Sequence, residues 1–213
     1  MRYIVLISIK LAMLLMYASG ASAEALDDAL NAVKLNNLTA LEALFAKGLD
    51  VNTTDASANT LLMLAIRENH PDMVKRLLER KANVGARNSY GETALLLAAA
   101  KGNMETVRTL VDRGAPINQS GWTALIYAAW QGKTEVVKYL LEKGAEIDAV
   151  SPTGVSALML AARGGHMDTV KLLLWEVANP NLKSETGATA LGLALKAGNT
   201  DVAKLLKQAG AKE

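Results

Sequence analysis

A period near 33 residues runs through this chain and limits what it can fold into. Thr60, Thr93, Thr123, Ser156 and Thr189 each precede a short apolar run, at spacings of 33, 30, 33 and 33 residues. Five residues after each stands Ala65, Ala98, Ala128, Ala161 or Ala194, and nine after each stands Asn69, Gly102, Gly132, Gly165 or Gly198. Extending the register back by 33 reaches Asp27, with Ala32 and Asn36 in the matching places. Six units result, the first degenerate. A repeat of this length cannot bury its own apolar face, so stacked neighbours must build the core.

Each unit reads as helix–turn–helix. The Thr or Ser caps the first helix by accepting a backbone N–H bond, and Thr123-Ala124-Leu125-Ile126-Tyr127-Ala128-Ala129 shows the run that follows. The alanine pair allows close approach of neighbouring helices. Gly or Asn then permits the left-handed turn that ends it. The second helix, as in Glu135-Val136-Val137-Lys138-Tyr139-Leu140-Leu141, carries one apolar stripe at helical spacing. Pro71 suits a first helical position. A second glycine closes four units (Gly48, Gly114, Gly144, Gly210), where Lys81 and Val177 stand in the other two.

Gly91-Glu92-Thr93-Ala94-Leu95-Leu96-Leu97-Ala98-Ala99 and Leu140-Leu141-Glu142-Lys143-Gly144-Ala145-Glu146-Ile147-Asp148 resemble ankyrin repeats, over about all of 25–211. The resemblance implies an all-α solenoid of about six helix–turn–helix repeats with short hairpin-like connections, in units near 25–56, 57–89, 90–119, 120–150, 151–184 and 185–213. The chain departs from the family pattern in two places. The proline after Thr is Leu61, Ala94, Ala124, Ala157 or Ala190, and the histidine two residues later is Met63, Leu96, Ile126, Met159 or Gly192. The family's Thr–His bonds are therefore missing, and packing must compensate. Polar ends suit capping units: Lys207 stands where inner units carry Leu78, Val111, Leu141 and Leu174.

Residues 1–23 read as a secretory signal followed by a 24–213 repeat domain. Arg2 and Lys10 supply charge, Leu11–Ala18 an apolar core and Ala21-Ser22-Ala23 a small-residue cleavage pattern. Lys10 leaves the apolar run short of the ~20 residues of a spanning helix. Cleavage before Glu24 removes two cations and no anions, leaving 21 basic against 21 acidic residues. A general nucleic-acid binder would carry a basic excess. The sequence has no cysteine. This excludes disulfides, thiolate metal sites and a cysteine nucleophile, and suits a bacterial periplasm.

No catalytic constellation is found, and neither an enzyme nor a cofactor is expected. Gly132-Lys133-Thr134 lacks the earlier glycine of a phosphate loop, where Tyr127 stands. His70 and His166, the only histidines, occupy matching positions three units apart and read as turn stabilisers. Asp27-Asp28 fall at an expected helix start, where negative charge suits the dipole.

Surface recognition remains. By the resemblance, residues just before the Thr, and those seven or eight after it, line a concave groove. These include Arg67, Glu92, Lys101, Trp122, Trp130, Gln131, Arg163 and Lys196, with Tyr90 on a neighbouring tip. Exposed tryptophan amid cations has the composition of a binding hot spot, although Lys and Arg are also ordinary exposed helix formers. Tyr127 is expected in the core, and Trp175 packing around the Val177 turn. The connection Ile117–Gly121 is three residues shorter than its counterparts; it reads equally as a notch for a partner or a neutral deletion. The expected function is that of an exported, periplasmic protein-binding module, monomeric alone. Its partner would carry acidic and apolar surface; one form is an accessory, protective or immunity-type factor. A secreted effector acting on a host protein is the alternative.

Overall fold

Twelve helices, arranged in six pairs, account for the regular structure of residues 23–212, the span described by the computed structural model. Residues 1–22 of the expected export signal lie outside it. The first helices of the pairs are α1 (Ala23–Lys34), α3 (Leu61–Arg67), α5 (Ala94–Lys101), α7 (Ala124–Trp130), α9 (Ala157–Gly164) and α11 (Ala190–Lys196). The second helices are α2 (Leu38–Ala46), α4 (Pro71–Glu79), α6 (Met104–Asp112), α8 (Thr134–Glu142), α10 (Met167–Trp175) and α12 (Thr200–Gln208). No strand occurs among the described residues; Thr54–Thr60 and Val150–Ser156 form isolated antiparallel bridges at hairpin tips. Among the described residues no helix is long and apolar enough to cross a membrane.

The caps follow the repeat. Thr60, Thr93, Thr123, Ser156 and Thr189 accept from the N–H of Met63, Leu96, Ile126, Met159 and Gly192. Four of those donors bury their side chains: Met63, Leu96, Ile126 and Met159. Packing thus replaces the absent Thr–His bonds at four of five repeats. Asp27 departs from the expected register. It lies inside α1, which starts four residues earlier, and caps nothing. Apolar Leu26 at the preceding position and good helix formers before it let the helix run on.

The chain divides into two units, residues 23–90 and 91–212. In the first, α1 packs on α2 and α3, and α3 on α4. Glu42 on α2 bridges the guanidinia of Arg76 on α4 and Arg80 just past its end. It accepts from Arg76 Nε at 2.6 Å and from Arg80 Nη2, and Arg80 also lies over the Phe45 ring. In the second, α5, α7, α9 and α11 pack side by side in that order, and the second helices α6, α8, α10 and α12 meet one another in the same order. The helices meet on fully buried Ala98, Ala99, Ala128, Ala129, Ala161, Ala162 and Ala194. Small side chains there set a short interaxial distance.

Hydrogen bonds of side chains to the backbone of the next repeat tie the pairs within each unit. Asn52 accepts from Asn83 N–H in the first unit; Asn118, Asp148 and Asn181 accept from Glu146, Asn179 and Lys212 in the second, all at 2.8–2.9 Å. His70 and His166 reach back instead to the ends of preceding first helices. Their Nε2 atoms meet the Lys34 carbonyl at 3.3 Å and the Trp130 carbonyl at 2.8 Å. A carbonyl only accepts, so Nε2 carries the proton. Neither histidine caps its own helix. In the equivalent place Asn199 donates to the Ala162 and Arg163 carbonyls.

Candidate interaction surface

The second unit holds a cluster of three aromatic rings at the ends of α7. Trp122 precedes the Thr123 cap, Tyr127 lies one turn into the helix, and Trp130 is its last residue. Tyr127 makes edge contacts with both tryptophans, ring centroids 5.6 Å apart in each case. Such geometry adds about 0.5–1.5 kcal/mol beyond area burial. Tyr127 is half-buried between the two indoles and not in the core as expected; at the same register Leu64 and Leu97 are half-buried too, and only Leu160 is buried. Burial first, and the Glu92 carboxylate second, push its hydroxyl above the ordinary phenol range. Trp130 is 42% exposed, whereas Trp122, expected to be exposed, is half-buried.

Trp122 is held by a device the sequence reading missed. At the longer tips a backbone N–H closes the hairpin: Asp55 to the Asn59 carbonyl, Ser151 to that of Val155 and Ser184 to that of Ala188. In the short connection before Trp122 a side chain reaches the equivalent carbonyl. Gln119 supplies its side-chain amide instead, donating Nε2 to the Trp122 carbonyl and reaching the Gly91 carbonyl at 3.5 Å. Both neighbours of that nitrogen are acceptors, which fixes the orientation of the amide. Gln119 is buried, and its Oε1 accepts nothing from the described residues. A polar residue of reach longer than Asn beside a shortened tip was the available signal.

Around the rings stand the predicted cations. Arg163 ends α9 one residue before Gly164, Lys196 ends α11, and Lys101 ends α5; all three are exposed, as is Gln131 beside Trp130. Among the described residues no hydrogen bond or ion pair engages the side chains of Lys101, Gln131, Arg163 or Lys196. The indole N–H groups of Trp122 and Trp130 and the Tyr127 hydroxyl likewise have no hydrogen-bond partner among the described residues. Glu92, half-buried, lies near Tyr127. The second unit thus brings together Glu92, Lys101, Trp122, Trp130, Gln131, Arg163 and Lys196 on consecutive first helices and their tips.

The other two predicted residues, Arg67 and Tyr90, belong to the first unit. Arg67 is half-buried and donates to Asn59 Oδ1 at 3.1 Å. Asn59 also accepts from Asn88 and donates to Asp55, so Arg67 is knitted into a polar network. Tyr90 stands out at 71% exposure.

One expectation fails elsewhere. Trp175 does not pack around the Val177 turn; the two side chains are 83% and 82% exposed. Val177 keeps the left-handed backbone of its glycine counterparts at φ +66°, and this turn projects its side chain outward. Lys133, the lysine of the rejected phosphate motif, lies along Gly102, where a Cβ would come within 2.7 Å of its Cδ. Thr134 Oγ1 meets Thr169 Oγ1 at 2.8 Å. No group of three metal-binding side chains occurs among the described residues.

A family model described as ankyrin repeats in three copies matches residues 11–88, 29–119, 62–151 and 144–213. Comparison with curated proteins gives no match.

Proposed function

Because the chain belongs to the ankyrin repeat family, whose members are generally protein–protein interaction modules, we propose that it binds a partner protein through the first-helix face of its second unit. The observation that carries this reading is Trp130. It is a large, partly exposed indole at the centre of unpaired cations. Tryptophan and arginine together are the side chains that most often dominate binding energy. The cluster is also preorganised, since Tyr127 holds both rings before any partner arrives and little rotamer freedom remains to be lost.

The N-terminal pattern of charge, apolar core and Ala21-Ser22-Ala23 supports export of the 24–213 product to the periplasm, with an accessory, protective or immunity-type role toward another exported protein. Absence of cysteine and a charge balance of zero after cleavage agree with that setting. The test is crosslinked capture from the periplasmic fraction with wild type and a Trp122→Ala, Trp130→Ala variant. A partner held by wild type and lost from the variant is expected, on a chain whose N-terminus is Glu24. Trp130→Ala alone, which loses one edge contact with Tyr127, should lower the circular dichroism melting temperature by only about a few degrees. Capture by both proteins, or a large fall in melting temperature for Trp130→Ala, overturns the reading.

A further inference from the structure

The first helices of the second unit repeat one register position across four neighbours. Ala100 on α5, Trp130 on α7, Arg163 on α9 and Lys196 on α11 each lie seven residues after their cap. These helices pack consecutively, and packed helices stand about 8–10 Å apart. A polyproline II segment advances about 3.1 Å per residue with three residues per turn. Its residues i, i+3 and i+6 therefore point the same way at intervals of about 9 Å. A β-strand of equal length presents i and i+3 on opposite faces, so it does not share this spacing.

We propose that the face holds a polyproline II segment of a partner protein, with proline at one position and carboxylates three and six residues later. This rests on the reading of that face as the partner site. The proline stacks against Trp130 within the Trp122–Tyr127–Trp130 cluster, beside the bare methyl of Ala100. The two carboxylates meet the unpaired side chains of Arg163 and Lys196. Such a segment has no internal hydrogen bonds. Its carbonyls are therefore free to accept from the indole N–H groups and Gln131, and aromatic-lined grooves are how such segments are bound. Charge sets the direction. At the aromatic end the charges of Glu92 and Lys101 offset each other, while Arg163 and Lys196 are two unopposed cations that draw the acidic end along α9 and α11.

The probes are two fluorescent peptides of equal composition, titrated against the full 24–213 chain at low ionic strength. One is Pro-Pro-Gln-Glu-Pro-Gln-Glu, with its first proline three and six residues before the glutamates. The other, Pro-Pro-Glu-Gln-Pro-Gln-Glu, misplaces one glutamate. Binding of the first at least tenfold tighter is expected. Arg163→Glu should lose at least tenfold for the first peptide and recover when its first glutamate is replaced by lysine. Equal binding of both peptides, or binding of neither, overturns the inference. Partner capture by Trp130→Ala separates the two levels: capture lost without peptide selectivity overturns the extended-segment inference alone, and capture retained overturns the surface reading as well.

Discussion

At the residue scale, a handful of backbone conformations are paid for by the side chains that occupy them. Val177 adopts φ +66° where Gly144 and Gly210 hold the same turn at +86° and +83°. A β-branched residue in this region costs roughly 1–2 kcal/mol. At 82% exposure Val177 recovers little of that by burial. Val177→Gly should raise the stability of the second unit by about 0.5–1 kcal/mol after the entropy of glycine is counted, read as a higher denaturant midpoint at unchanged slope. A fall in the midpoint would show that the valine side chain packs. This pair also shows a limit of sequence reading. Periodicity placed Trp175 and Val177 at the right turn, yet Trp175 ends α10 two residues after buried Leu173, on the outer side of the helix, and Val177 projects outward from its left-handed turn.

At the scale of the element, contacts between helices depend on what is small and what is charged. Ala128 lies wholly buried between the packed first helices of the second unit. Ala128→Leu adds volume with no space to take it, and should cost about 1–3 kcal/mol; a melt within a degree of wild type would contradict the packing. In the first unit the link is electrostatic. Arg80 and then Arg76 hold the Glu42 carboxyl down to about 2, against an ordinary value of 4.5. A carboxyl lowered by folding stabilises above its unfolded value and loses that contribution as pH falls through its folded one. Acidification from 4.5 towards 2 should therefore weaken this unit by about 1 kcal/mol, the partly exposed arginines screening the rest. Glu42→Gln should remove that part of the acid dependence. An unchanged pH profile in the variant would place the acid sensitivity elsewhere.

Across the whole molecule, what the sequence made legible was whatever the 33-residue period repeats. The caps at Thr60, Thr93, Thr123, Ser156 and Thr189, the buried alanines and the paired helices were all readable, because each obeys a local rule and recurs. Singular features were less so. Asp27 failed as a cap because a degenerate unit keeps the period without its physics. Tyr127 looked like core because apolar Leu64, Leu97 and Leu160 share its position, yet that position is half-buried in two of the three, and the two indoles make Tyr127 the middle ring of a cluster. The exchange of backbone for side chain at Gln119 was invisible to periodicity because it repairs an interruption of the period. That repair has a consequence for how such a chain can vary. A tip that loses three residues ordinarily loses the strut that sets where the next helix begins. Here one long amide reinstates the strut, so the indole ahead of α7 keeps its station although the covalent path to it is shorter. Length at the tips and placement of the recognition rings are thereby separable traits: evolution or an engineer can trim or extend one without retuning the other, provided a single side chain of sufficient reach is left at the bend.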